Sequence, residues 1–118
     1  MDKAGLDGFS RGWPSRPPVV VAPDEIDVAT SPDLALSLAG PIQQTIVVDL
    51  TKTRFCDCSV LGVLILAAER AEEAGGELRL AISSANILKI FEITGLNIRF
   101  RIFSSVTAAI AACPAGRV

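Results

Sequence analysis

The chain has 118 residues, 50% of them apolar and 20% charged, with a formal net charge of −2. That length holds one domain with a core of its own and is too short for two, and that apolar content belongs to a folded chain. A nearly balanced charge with no basic run argues against nucleic acid or an anionic membrane as the main partner, and the absence of histidine excludes any Ser-His or Cys-His dyad.

Residues 1–18 carry three glycines and three prolines, with Phe9 and Trp13 between them. They read as an N-terminal arm or a first edge strand around Phe9 to Trp13, with Pro14, Pro17 and Pro18 barring a regular central strand. Val19-Val20-Val21-Ala22 follows as a short buried-type strand, turned by Pro23-Asp24. Thr30 or Ser31 suits the cap of the next helix, with Pro32 and Asp33 in its first turn. That helix carries Leu34, Ala35 and Leu38 and stops at Gly40-Pro41.

Ile46-Val47-Val48 is a continuous apolar strand ending in Asp49-Leu50. Polar residues lead to Phe55-Cys56-Asp57-Cys58-Ser59, and then the spacing changes. Val60, Leu61, Leu64, Ile65 and Ala68 recur at helical intervals, the signature of one buried helical face. Gly75-Gly76 ends the helix. Glu77 to Ile82 alternates, with Leu78, Leu80 and Ile82 on one face and Glu77, Arg79 and Ala81 on a face expected to be more exposed. Ser83-Ser84 precedes a helix with Ile87, Leu88, Ile90 and Phe91 on its apolar side and Gly95 at its end. Phe100 to Phe103 forms a last strand, and Ser104 or Ser105 caps a helix from Val106 to Ala112. Strands alternating with helices predict an α/β fold: a mostly parallel or mixed sheet of four to five strands with about four helices packed on it.

The segment VVDLTKTRFCDCSVLGVL, followed by EEAGGELRL, resembles the STAS domain of anti-sigma factor antagonists. The pattern of that family is a "VVLDLS" strand, a "VxFxDSSGLGVL" helix start and a helix ending in "AGG". Asp57, Ser59, Leu61, Gly62, Val63 and Leu64 match it. Glu25 to Thr30 resembles the family's "GELDxxT", with Asp24 in place of the glycine, and LKIFEITGL resembles its "LxLTGL". The resemblance covers about residues 19–112 and implies a domain at 19–113 with a short tail at 114–118.

The resemblance implies an anti-sigma factor antagonist. Such a protein binds an anti-sigma factor, often a serine kinase with an ATP-binding fold, and so frees a sigma factor. The contact falls to the helix start, Asp57, Cys58, Ser59, Val60 and Leu61, and to the acid loop of Glu25 and Asp27. The runner-up from another class is a structural STAS subunit of a membrane transport or lipid-trafficking complex.

Two departures bear on mechanism. Cys58 stands where the family carries the serine that its kinase phosphorylates, and Val60 replaces the glycine of Asp-Ser-Ser-Gly. Cys58 cannot accept phosphate as serine does, which leaves three readings. Binding is constitutive, or Ser59 takes the phosphate, or Cys58 is a redox switch, with Cys113 as a further redox candidate. A thiol at a helix N-terminus can be activated, while adjacent Asp57 works against a second negative charge. The plain reading of Asp57-Cys58-Ser59 is a helix cap, and that of Cys56 is a small buried hydrophobe.

An odd count of three cysteines points to free thiols in a reducing compartment. Their spacing matches no zinc pattern, so neither a metal nor a cofactor is expected. No glycine-rich phosphate loop or paired carboxylate motif occurs, and the chain does not read as an enzyme. Met1-Asp2-Lys3-Ala4 opens no signal region, and the longest apolar stretch, Val60 to Ala68, falls far short of the about 20 residues a bilayer needs. The expected location is the cytoplasm.

Overall fold

A computed structural model of the chain describes residues 17–39 and 45–113. The arm at its N-terminal end, the helix stop at Gly40-Pro41 and the tail from 114 lie outside the described residues. In chain order the elements are β1 (Val19–Val21), β2 (Glu25–Ile26), α1 (Ser31–Leu38), β3 (Thr45–Asp49), β4 (Phe55–Cys56), α2 (Ser59–Glu73), β5 (Glu77–Ala81), α3 (Ala85–Thr94), β6 (Arg101–Phe103) and α4 (Val106–Ala111).

The apolar run of β3 places it inside a four-stranded sheet of order β1-β3-β5-β6. Every pairing is parallel, with Val47 opposite Val19 on one side and Arg79 on the other. A strand covered on both faces has no polar face to show, which is why β3 reads as a continuous apolar stretch. Ile46, Val48, Leu78, Leu80 and Ile82 pack into one core with Leu34 and Leu38 of α1, Val60, Leu61 and Leu64 of α2, and Ile87 and Phe91 of α3. Phe91 is fully buried and meets Phe100 edge-on at 5.9 Å, an aromatic geometry worth about 1 kcal/mol beyond its area.

The second face of the sheet departs from expectation. Arg79 and Ala81 are 3% and 0% exposed, although the alternation of β5 predicts an open face. The reason is α4, which lies across β3, β5 and β6. Arg79 is buried with its charge paired and two of its nitrogens hydrogen-bonded. Its Nε donates to Glu77 Oε2 at 2.7 Å and its Nη1 donates to the carbonyl of Ala109 at 2.8 Å. Arg101 Nη1 donates to the same Glu77 oxygen and, at 2.6 Å, to the carbonyl of Cys113. The two arginines thereby fasten α4, at Ala109, and Cys113 beyond its C-cap to the sheet.

Helix ends follow local chemistry. Ser84 and Ser105 are N-caps whose hydroxyls accept from the Ile87 and Ala108 amides. Gly95 closes α3 at φ 78°, a left-handed conformation that side chains disfavour. Among the described residues no helix is long and apolar enough to cross a membrane.

Candidate functional site

Beyond the C-terminal ends of β1 and β3, the chain forms a second, two-stranded sheet. Here β2 and β4 pair in parallel, Glu25 opposite Phe55 and Ile26 opposite Cys56. Each strand turns one residue out and one in: Glu25 and Phe55 are exposed, Ile26 and Cys56 are buried. The pairing continues at both ends. The Arg54 amide donates to the Asp24 carbonyl at 2.7 Å, and the Asp57 amide donates to the Ile26 carbonyl at 3.0 Å. Thr53, 3% exposed, adds a hydroxyl bond to the Pro23 carbonyl at 2.8 Å. The acid loop and the start of α2 are therefore one structural unit.

The acid loop is held by its own side chains. Asp27 Oδ1 accepts from the amides of Ala29 and Thr30, at 2.9 and 3.0 Å. The Thr30 hydroxyl donates back to the Glu25 carbonyl at 3.0 Å. Thr30 is the N-cap of α1 by position, but no side-chain cap bond is formed, because its hydroxyl is used inside the loop. Asp27 is half-buried, while Glu25 and Val28 stand in solvent.

The start of α2 is built on the same device. Asp57 Oδ1 accepts from the Ser59 amide at 2.9 Å and from the Ser59 hydroxyl at 2.5 Å. The hydroxyl bond, and after it the amide bond, hold the Asp57 carboxyl below the usual carboxylate range. Cys58 takes the N-cap position with no side-chain cap bond and is exposed. Cys56 is the opposite case. Burial first, then the charges of Asp57 and Cys58, push its thiol up to about 11, and it packs as a small core residue.

The structure thus brings Glu25, Asp27, Asp57, Cys58 and Ser59 to one end of the domain. It does not bring Val60 and Leu61 to that surface. They are 0% and 8% exposed, because their helical phase, shared with Leu64 and Ala68, aims them at the core. The expectation that they offer contact atoms sits against that burial. In their place the surface holds two apolar residues that the sequence reading passed over, Phe55 at 52% and Val28 at 76% exposure. The only sequence signal for Phe55 is its alternation with Cys56, and two residues are too few to read a period from.

Cys113 lies elsewhere. Its carbonyl meets Arg101, the first residue of β6, at the N-terminal edge of the parallel sheet. Cys58 lies beyond the opposite edge, so the fold does not bring these two thiols together. All three cysteines are free. No group of three or more His, Cys, Asp or Glu among the described residues is arranged to hold a metal ion.

The family model for the STAS domain matches residues 14–109. This chain belongs to the STAS domain family. Among solved structures, the domain is similar to an anti-sigma factor antagonist from Mycobacterium paratuberculosis, with a TM-score of 0.70 and 22% identity over 77% of this chain and 80% of that one. It is also similar to the anti-sigma factor antagonist SpoIIAA in its unphosphorylated form, with a TM-score of 0.67 and 20% identity over 80% of this chain and 86% of that one. At those identities the likeness is one of fold: the STAS architecture of anti-sigma factor antagonists, an α/β domain with four helices, a four-stranded parallel sheet and a small second sheet. No curated protein matches the sequence significantly.

Proposed function

We propose that this STAS domain is an anti-sigma factor antagonist that binds a kinase-fold anti-sigma factor, releases a sigma factor, and does so without a phosphorylation switch. The observation that carries the reading is the pair Cys58 and Ser59. Cys58, at the family's phosphoacceptor position, is the exposed residue of the two. Ser59 has the hydroxyl, but that hydroxyl is half-buried and committed to Asp57.

A phosphate on Ser59 would break that bond and set a dianion beside an ionised carboxylate, an unfavourable pairing at close range. A thiol does not form the stable phosphate ester that serine forms. The kinase therefore has no acceptor to use at this helix start, and the complex persists in the presence of ATP. The contact surface is Glu25, Asp27, Asp57 and Cys58, with Phe55 and Val28 as its apolar part. A surface that mixes exposed apolar side chains with charges suits a specific protein partner. The transport-subunit reading has no observation of its own in its favour.

The test is a displacement assay. Purified chain is added, with ATP and magnesium present, to a preformed complex of sigma factor and anti-sigma factor from the source organism. Release of free sigma factor that does not decay over prolonged incubation supports the reading. Release that decays as the chain gains phosphate overturns the unswitched part of it, and no release overturns the assignment.

A further inference from the structure

Among the described residues, one stripe of helix α2 is left uncovered. Cys58, Gly62, Leu66, Glu69 and Glu73 are all exposed and recur at intervals of three and four, so they line one side of the helix. Arg70 stands at the margin of that stripe. The first half is apolar and small. Leu66 is 58% exposed, and a Cβ added at Gly62 would meet nothing within 4 Å.

Gly62 is unexplained by the domain itself. Glycine is the poorest helix former after proline, and it is retained in helices where the backbone needs an unusual conformation or where something approaches closely. Among the described residues the positive-φ glycines are Gly75 and Gly95, not Gly62, and no described neighbour crowds it. What a bare backbone offers at this position is access from outside.

Acids bracket the apolar part at both ends. Glu25, Asp27 and Asp57 lie beyond the N-terminal end of α2, and Glu69 and Glu73 lie along its second half. The Asp57 carboxylate is fixed in place by Ser59. The complementary surface is an apolar segment with cations at both ends. A helix meets that description most economically, since packed helix axes lie about 8–10 Å apart depending on the contact side chains, and a glycine at the crossing favours the near end of that range.

We infer that the partner surface extends along α2: a helix of the anti-sigma factor crosses α2 over Gly62, rests an apolar side chain against Leu66, and turns basic side chains toward Asp57 at one end and Glu69 and Glu73 at the other. The inference rests on the antagonist reading above and adds to it the occupant's shape and charge. Gly62 is then the residue that sets how close the partner comes.

The experiment titrates the full chain and its variants against the purified anti-sigma factor, with thermal melting of each variant in parallel. Gly62→Trp and Leu66→Lys are expected to weaken binding by about 100-fold or more, the loss typical of a central contact. Gly62→Ala is expected to melt higher than the wild type yet bind more weakly, a combination that a merely structural glycine cannot produce. The double change Glu69→Lys, Glu73→Lys is expected to slow association at low salt and to matter much less at high salt. Ile98→Lys, at an 87% exposed position outside the stripe, is expected to leave binding unchanged. If the wild type binds and Gly62→Trp and Leu66→Lys bind equally well, the inference is overturned while the antagonist reading stands. If the wild type binds no anti-sigma factor, the antagonist reading fails and this occupant falls with it.

Discussion

The amide of Asp57 donates to the carbonyl of Ile26 across 3.0 Å, and this bond carries the pairing of the two stretches that make the candidate surface up to the start of α2. Ile26 anchors the joint from below: it is 0% exposed and packs in the main core. Truncation to Ile26→Ala leaves a cavity under the second sheet and should cost about 3 kcal/mol, measured by urea unfolding. Because the acid loop and the helix start share this support, the variant should also lose partner affinity under conditions where circular dichroism shows it folded.

Asp57 carries a pH signature. Its carboxyl titrates below the usual range because the ionised form accepts from Ser59. A depressed folded-state pKa favours folding fully above the unfolded carboxylate range, near about 3.9, and the benefit is lost as the pH falls through the lower folded value. The wild type should therefore melt above Asp57→Asn at pH 7, with the gap closing on acidification. A gap that does not change with pH would locate the effect in packing instead.

The thiols should separate by reactivity. Cys56 is buried, with its thiol pushed up to about 11, so it is protonated and covered at pH 8. Cys58 and Cys113 are exposed. Iodoacetamide at pH 8 followed by peptide mass spectrometry should find Cys58 and Cys113 alkylated and Cys56 intact, with Cys56 labelled only after denaturation.

Arg79 is expected to matter for stability and not for binding. It is 3% exposed and connects Glu77 to the Ala109 carbonyl, in the middle of an inner strand on the sheet face that α4 covers. Removing one member of a buried charged network costs about 3–5 kcal/mol, so Arg79→Ala should unfold at a markedly lower urea concentration. Arg79→Met fills the same volume without the charge and should recover part of that loss. Both variants, where folded, should keep wild-type partner affinity.

The main architecture could be read from the chain because its signals are long. The apolar run at Ile46 to Val48 and the helical phase from Val60 to Ala68 each extend over enough residues for a period to show. The two-stranded sheet of Glu25–Ile26 and Phe55–Cys56 could not, since each strand has two residues and their pairing joins positions 30 apart. The face of Arg79 was misread for a related reason. Alternation reports which residues share a face, and only the docking of α4 decides whether that face meets water. At the candidate site, Asp57 and Ser59 were legible as a helix start. The inward phase of Val60 and Leu61 was legible too, in their helical spacing with Leu64 and Ala68, and it conflicts with assigning them to the contact surface. The commitment of the Ser59 hydroxyl to Asp57 became visible only with the backbone in place.

The measurement that bears most directly on the account is the affinity of the purified chain for the purified anti-sigma factor by isothermal titration, with and without ATP, set beside Asp57→Lys. The account predicts saturable binding by the wild type that ATP does not reverse, and a loss of at least about 2 kcal/mol in the variant, as for a central interface residue. Equal binding by wild type and Asp57→Lys would contradict it by moving the interface away from the start of α2.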